Sequence, residues 1–405
     1  MTDLKNYIPE LGKPDAIIDF NGNNGLIAGV WGFDEIIKCI DGFTYLNGKL
    51  INGHPLEILQ NTLDEWSLSN SEFSAVGYFC YDFKNILFPH ILFNSRSNKL
   101  PQFWFGIPKK VIKFQDLFLI EPDSNASLFN KSTKTNKTDY FQSIQKIKHH
   151  LEYGDVYQIN KTYPIQFNLE GDTFDLYSQL SWKIKPRRGF YLDIGKNQFL
   201  SFSPEEFIKV KAGEISTFPM KGTLPEGKTE IERQKNIIEL SNSKKDKAEH
   251  LMIVDLLRND LGKICDYGTV KTKNLYGIQT YETVHHMVTK VYGKLKKDAK
   301  FKNIINALFP GGSITGAPKE KAMTIIDQIE NYSRGIYTGA MGYIKSNGDM
   351  DFNISIRTMT VKNNVVEYPV GGGVVWDSKP EEEWQETKTK AKILDFVINK
   401  MEKTC

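Results

Sequence analysis

The sequence is poor in cysteine. Cys39, Cys80, Cys265 and Cys405 are the only four in 405 residues, and no two of them form a C-x-x-C pair. That excludes a zinc ribbon and a disulfide frame and predicts a reducing compartment. No eighteen apolar residues run together, so no membrane-spanning helix is expected. Met1–Glu10 carries Asp3, Lys5 and Glu10 and lacks the apolar stretch of a signal peptide. A block of one charge is missing too. Fifty-two Lys+Arg stand against 49 Asp+Glu, a net +3, without the basic face a nucleic-acid binder needs. The expectation is a cytoplasmic protein with no nucleic-acid or membrane partner.

The chain is 40% hydrophobic and 25% charged, ordinary values for a globular protein, and long enough for two or three domains or one interleaved core. Residues 1–130 read as a strand-rich subdomain, with short runs at Ala16–Phe20, Phe73–Tyr81, Val111–Phe114 and Leu117–Ile120. Asn130–Thr138, reading NKSTKTNKT, has no aliphatic side chain and is expected to be a solvated linker before a second unit, 139–405. Asp139 with Gln142 resembles a capping box, and Ile144, Ile147 and Leu151 predict a helix to Gly154. Strands are expected at Val156–Ile159, Phe190–Ile194 and Phe207–Val210, and helices at Ile231–Leu240 and Ala248–Leu261. In the latter helix Leu251, Met252, Ile253, Val254, Leu256 and Leu257 cover the circumference, which predicts burial on every side. Asp351–Thr360 reads as one alternating strand and Glu381–Met401 as a closing helix. Helix and strand mixed without a βαβ beat argue for an α+β fold.

Polar groups in apolar or glycine-rich settings carry the chemical information. Glu249 enters the hydrophobic helix with no evident inward cation, which suits either a salt bridge or a metal ligand. Glu383 and Glu386 share one helix face, as an acidic first turn or as hard-oxygen donors of the kind Mg²⁺ takes. Lys221, in FPMKGT, either snorkels from a strand end or is a desolvated nucleophile, with Glu205 of SPEEF a possible proton donor. The loop GGSITGAPK at 311–319 departs from the phosphate-loop pattern yet can offer N–H groups to an anion. Gly371-Gly372-Gly373 allows close backbone approach, and Arg357 can pair with a carboxylate.

Taken in order, GDVYQIN (154–160), SPEEF (203–207), PMKGT (219–223), KDKAEHLMIVDLLRNDLG (245–262), TVHHMV (283–288), GGSITGAPK, RGIYTGAMGY (334–343), SIRT (355–358), GGGVVWDS (371–378) and EEEWQETKTKA (381–391) resemble the chorismate-utilising enzymes. That family includes anthranilate, aminodeoxychorismate, isochorismate and salicylate synthases. The resemblance covers 139–405 and, more loosely, the first third. It implies two antiparallel sheets packed as a sandwich with helices outside, interleaved as one unit. Members that add water carry a lysine where this chain has Gln158, and anthranilate-forming members carry alanine where it has Lys221. Glutamine with lysine resembles the aminodeoxychorismate-forming members.

The resemblance then implies that Lys221 attacks C2 of chorismate, Glu205 protonates the departing C4 hydroxyl, and ammonia displaces the lysine to give 4-amino-4-deoxychorismate for 4-aminobenzoate and folate. It implies Mg²⁺ on Glu249 and Glu386 with Glu383 adjacent. Substrate contacts would come from Gly222, Thr223, Thr315, Gly316, Tyr337, Arg357 and Gly371, Gly372 and Gly373, with His286 near the ring. No cysteine lies in a G-x-C-x-G frame, so glutamine use is expected to need a separate amidotransferase subunit, and no fused lyase is expected. Glu206 stands where many members carry arginine, a change expected to touch only a surface contact. Lys161 stands where an apolar residue is common. No LLES-type segment of tryptophan-inhibited members is visible.

Overall fold

The computed structural model describes residues 4–21, 25–69, 71–94, 100–117, 121–122, 125–227, 229–280 and 284–398. The expected strand residues 118–120 and the Thr223 side chain lie outside them.

The first third supplies β1 (Ala16–Phe20), β2 (Ile27–Ile40), β3 (Phe43–Leu46), β4 (Lys49–Ile51), β5 (Phe73–Phe79) and β6 (Phe103–Lys113). Next come β7 (Ser127–Ser132), β8 (Gln158–Glu170), β9 (Arg188–Asp193), β10 (Gln198–Ser203), β11 (Glu206–Lys211), β12 (Glu214–Phe218) and β13 (Met220–Pro225). The last third adds β14 (Lys271–Thr280), β15 (Val284–Lys294), β16 (Gly316–Ala317), β17 (Ala340–Lys345), β18 (Met350–Ile354), β19 (Thr358–Lys362) and β20 (Val365–Val374). The helices are α1 (Ile8–Leu11), α2 (Pro55–Trp66), α3 (Lys84–Leu87), α4 (Lys137–Glu152), α5 (Thr173–Ile184), α6 (Glu230–Asn242), α7 (Lys244–Gly262), α8 (Phe301–Leu308), α9 (Lys319–Ile329) and α10 (Pro380–Ala391).

The ladders between these strands are antiparallel and run in the order β8, β20, β19, β10, β9, β1, β2, β6, β5, β17, β18, β11, β12, β15, β13. Because side chains alternate along a strand, each one feeds two layers. Ile18, Phe190 and Phe199 on one sheet face Tyr78, Met341 and Tyr343 on the other, and the Tyr78 and Phe199 rings meet at 4.8 Å. The opposite faces carry helices: α4 and α5 over Ile17, Tyr191 and Leu200, and α2, α7 and α8 over Ala75, Phe105 and Phe352. The result is an α+β sandwich with helices outside, as expected.

Several local expectations change. The linker is shorter: β7 continues to Ser132, paired with β8. Helix α4 begins at Lys137, and its cap is Asn136, whose Oδ1 accepts from Asp139 N at 2.9 Å. Helix α7 buries one face, through His250, Ile253, Val254, Leu257 and Leu261, while Leu251 is exposed. The strand expected at 351–360 breaks between β18 and β19, where the chain leaves one sheet for the other; Arg357 sits at that corner with φ +50°. The closing helix ends at Ala391, followed by a 3₁₀ turn to Phe396. Glu206 is buried between the sheets, where it and Asp351 pair with Arg188.

Candidate active site

Lys221 and Gln158 come from near opposite ends of the ladder order, on β13 and β8, and meet above β20. A Cβ added at Gly373 would lie 2.9 Å from Gln158 Nε2 and 3.2 Å from Lys221 Nζ. Burial is the main influence on Lys221 and lowers its pKa, against the opposing pull of Glu249 and Glu205. Its free-amine form is therefore more accessible than that of a surface lysine. Both amide atoms of Gln158 are buried without a hydrogen-bond partner among the described residues.

Glu205 follows the β10 strand and is buried. Its Oε1 accepts from Ser313 Oγ at 2.8 Å. Burial pushes its pKa up to about 7, with Ser313 and Lys221 holding it from going further. A carboxyl poised there can donate a proton near neutrality. The loop bearing Ser313 is fixed from behind: Arg334, paired with Glu330 at 2.8 Å, donates to Ile314 O at 3.0 Å and to Asn160 O at 2.6 Å.

Glu383, Glu386 and Lys390 lie along one face of α10, over Gly372. Around the position of a Gly372 Cβ, Glu383 Oε2 and Glu386 Oε1 each stand at 3.4 Å and Lys390 Nζ at 3.5 Å. Lys390 Nζ pairs with Glu386 Oε1 at 2.7 Å and donates to Gly371 O at 2.7 Å. Burial raises the pKa of Glu383. On Glu386 burial acts the same way, but Lys390, Lys221 and Lys245 together outweigh it and the net shift is downward. Glu249, on α7, is raised by burial and opposed by Lys221 and by Lys245, whose Nζ is 4.0 Å away. Glu383 and Glu249, both raised by burial, and Glu386 are hard-oxygen donors of the right kind for Mg²⁺. No three His, Cys, Asp or Glu among the described residues are gathered to cage an ion unaided. Mg²⁺ takes one or two protein carboxylates and completes its shell with water and substrate oxygens, so the donor set fits a shared ion.

His286 on β15 is held neutral, its pKa lowered to about 4 by burial and then by Arg357, while a Gly222 backbone hydrogen bond opposes the shift. Gly222 has φ +64°, and a Cβ there would meet Leu240 Cδ1 at 2.8 Å. The Arg357 guanidinium makes no ion pair among the described residues. Tyr337 is buried beside Arg334, and burial raises its phenol far above the usual range. The Thr315 hydroxyl is buried and donates to Gly311 O at 2.9 Å. Gly316, with φ +142°, packs against Gln158 O, which a Cβ would approach to 2.0 Å. Ser313 and Lys390 were not anticipated; the i, i+4 spacing of Glu386 and Lys390 was the available signal. An open groove of about 570 Å³ between α4 and α9, lined by Gln142, Lys146 and His149 among others, contains none of these groups.

A protein-family model described as chorismate binding enzyme matches residues 28–395. Anthranilate synthase component 1 of Saccharolobus solfataricus is 40% identical over 264 residues, 65% of this chain and 62% of that protein. Aminodeoxychorismate synthase component 1 of Escherichia coli is 38% identical over 267 residues, 66% of this chain and 58% of that protein. The chain thus spans about three fifths of the length of these two relatives. Among solved structures, anthranilate synthase component I of Streptococcus pneumoniae superposes with a TM-score of 0.81 at 25% identity, covering 92% of this chain and 93% of that one. The menaquinone-specific isochorismate synthase of Escherichia coli shares the fold, with a TM-score of 0.69 at 17% identity over 98% and 99% of the two chains.

Proposed function

The chain belongs to the chorismate binding enzyme family, and from that premise we propose that it aminates chorismate to 4-amino-4-deoxychorismate through a covalent adduct on Lys221. Ammonia comes from a separate glutamine amidotransferase subunit, a reading supported by relatives named as component 1. The observation that carries it is the meeting of Lys221 Nζ with the Gln158 amide over Gly373, beside a Glu205 carboxyl that titrates near 7. The free amine of Lys221 bonds to C2 of chorismate, the ring double bonds shift, and the C4 hydroxyl leaves as water with the proton of Glu205. Ammonia then bonds to C4 and the C2–lysine bond breaks; one ammonia proton returns to Glu205. With Gln158 where a basic lysine would activate water, the incoming nucleophile is the neutral amine. Glu249 and Glu386, with Glu383 adjacent, would hold Mg²⁺, which offsets the negative charge of a substrate carboxylate. Arg357, at the corner between the sheets, pairs with a second carboxylate.

Formation of anthranilate with loss of pyruvate is the second reading, favoured by the 40% identical relative of that name. Incubation with chorismate, Mg²⁺ and ammonium, followed by mass spectrometry, separates the two. Aminodeoxychorismate is expected from the wild type, and a mass increment on Lys221 should be trapped in the absence of ammonia. Anthranilate with equimolar pyruvate would overturn the proposal.

A further inference from the structure

Lys390 stands where a cation is wanted. Its ammonium is 2.7 Å from Glu386 Oε1 and 2.7 Å from Gly371 O, and it shares with Glu383 Oε2 and Glu386 Oε1 the space above Gly372. A glycine there leaves that space unfilled by any side chain of β20. The lysine is tethered rather than free: one helical turn separates it from Glu386, so pair and tether belong to the same rigid face of α10.

We propose that Lys390 is an internal stand-in for the divalent ion, neutralising the acidic end of the cleft until Mg²⁺ displaces its ammonium from Glu386. This rests on the reading of Glu249, Glu383 and Glu386 as the Mg²⁺ donors. Without the stand-in, Glu383 and Glu386 would repel one another in a partly desolvated site. With it, the chain folds without metal, and Mg²⁺ must break a charge-assisted hydrogen bond before it binds. Two effects of opposite sign follow from removing the ammonium. The metal-free protein loses stability, while Mg²⁺ gains affinity because nothing competes for Glu386.

The test uses the full chain stripped with EDTA, titrated with MgCl₂ by calorimetry and followed by thermal denaturation. Lys390→Met keeps the aliphatic stem and removes the charge; Lys390→Gln serves if that variant does not fold. Lys245→Met controls for the loss of any nearby positive charge, since Lys245 lies 4.0 Å from Glu249 and makes no bond to Glu386. The expected result is a Tm below wild type without metal, and Mg²⁺ binding about tenfold tighter than wild type, roughly the worth of one charge-assisted hydrogen bond. Lys245→Met is expected to change the affinity less than threefold. Equal affinities for wild type and Lys390→Met, or equal gains from both lysine variants, would overturn the stand-in. A wild type that binds no Mg²⁺ at all, whether chorismate is present or absent, would instead overturn the metal reading beneath it.

Discussion

Gly371 and Gly373, two residues apart on β20, are expected to fail in different ways when each gains one methyl group. At Gly371 the new Cβ would lie 2.3 Å from Lys161 O and 2.8 Å from Thr162 Cα, both backbone atoms of the partner strand. Relief requires β20 to move off β8, an overpacking cost at the upper end of the usual range, about 3 kcal/mol. At Gly373 the nearest atoms are Gln158 Nε2 at 2.9 Å and Lys221 Nζ at 3.2 Å, the ends of flexible side chains. Retreat by roughly half an ångström restores ordinary contact there and costs folding about 1 kcal/mol or less. That same retreat moves the proposed nucleophile off its line of attack. With a 1 Å misplacement worth about a hundredfold, the loss in kcat should be about tenfold. Thermal denaturation and steady-state turnover on the two variants give the contrast: Gly371→Ala loses Tm, and Gly373→Ala loses kcat at near-native Tm. Wild-type turnover in Gly373→Ala would refute the placement of chemistry at Lys221 and Gln158.

Glu205 titrates near pH 7 in the fold against 4.5 for an exposed glutamate. Between those values the native state holds a proton that the unfolded chain has lost, so stability should fall as pH rises from about 4.5 to about 7 and level off above. Glu205→Gln should flatten that slope and remove turnover, and an unchanged pH profile in this variant would count against the acid. Turnover should vanish in excess EDTA and return with Mg²⁺, and Glu249→Ala should raise the Mg²⁺ concentration needed for half-maximal rate at least tenfold; activity that survives chelation removes the metal from the reaction. Arg188→Met leaves Glu206 and Asp351 buried without their guanidinium, which should cost about 3–5 kcal/mol in chemical denaturation; a cost under 1 kcal/mol would mean that water reaches the pair.

The sequence reading worked best where the signal was local or chemical. Short β-branched and aromatic runs located β1, β5, β9 and β11, and glycine beside charge singled out Lys221 and the 371–373 run, which the fold brings together. It worked least well where the fold reassigns a pattern. Apolar residues ring α7, yet tertiary packing uses one stripe of them and leaves Leu251 to solvent. The alternation of 351–360 is real on both sides of a sharp corner, and nothing in the residue type marks an arginine for a positive φ. Glu206 escaped because a register shift after it breaks the pleat, so adjacent positions on β11 are buried together. Lys390 escaped because TKTKAK (387–392) reads as a solvated face, and only the backbone brings it over Gly372.

The order of the strands has a mechanical consequence. Lys221 and Gln158 sit near the two ends of one long chain of ladders, and β1, β2, β6 and β5 occupy its middle. Those four strands act as a keystone: they hold the reacting groups opposite one another without touching either. Each strand-to-strand step carries its own twist, so a small change of angle in the keystone is summed along both arms and delivered as a shift at the seam where amine and amide face each other. A substitution in the first third of the chain can thus act on the rate as a lever acts, through rotation at a distance. Cutting the keystone away would leave β9 and β17 as raw edges, free to pair with another molecule.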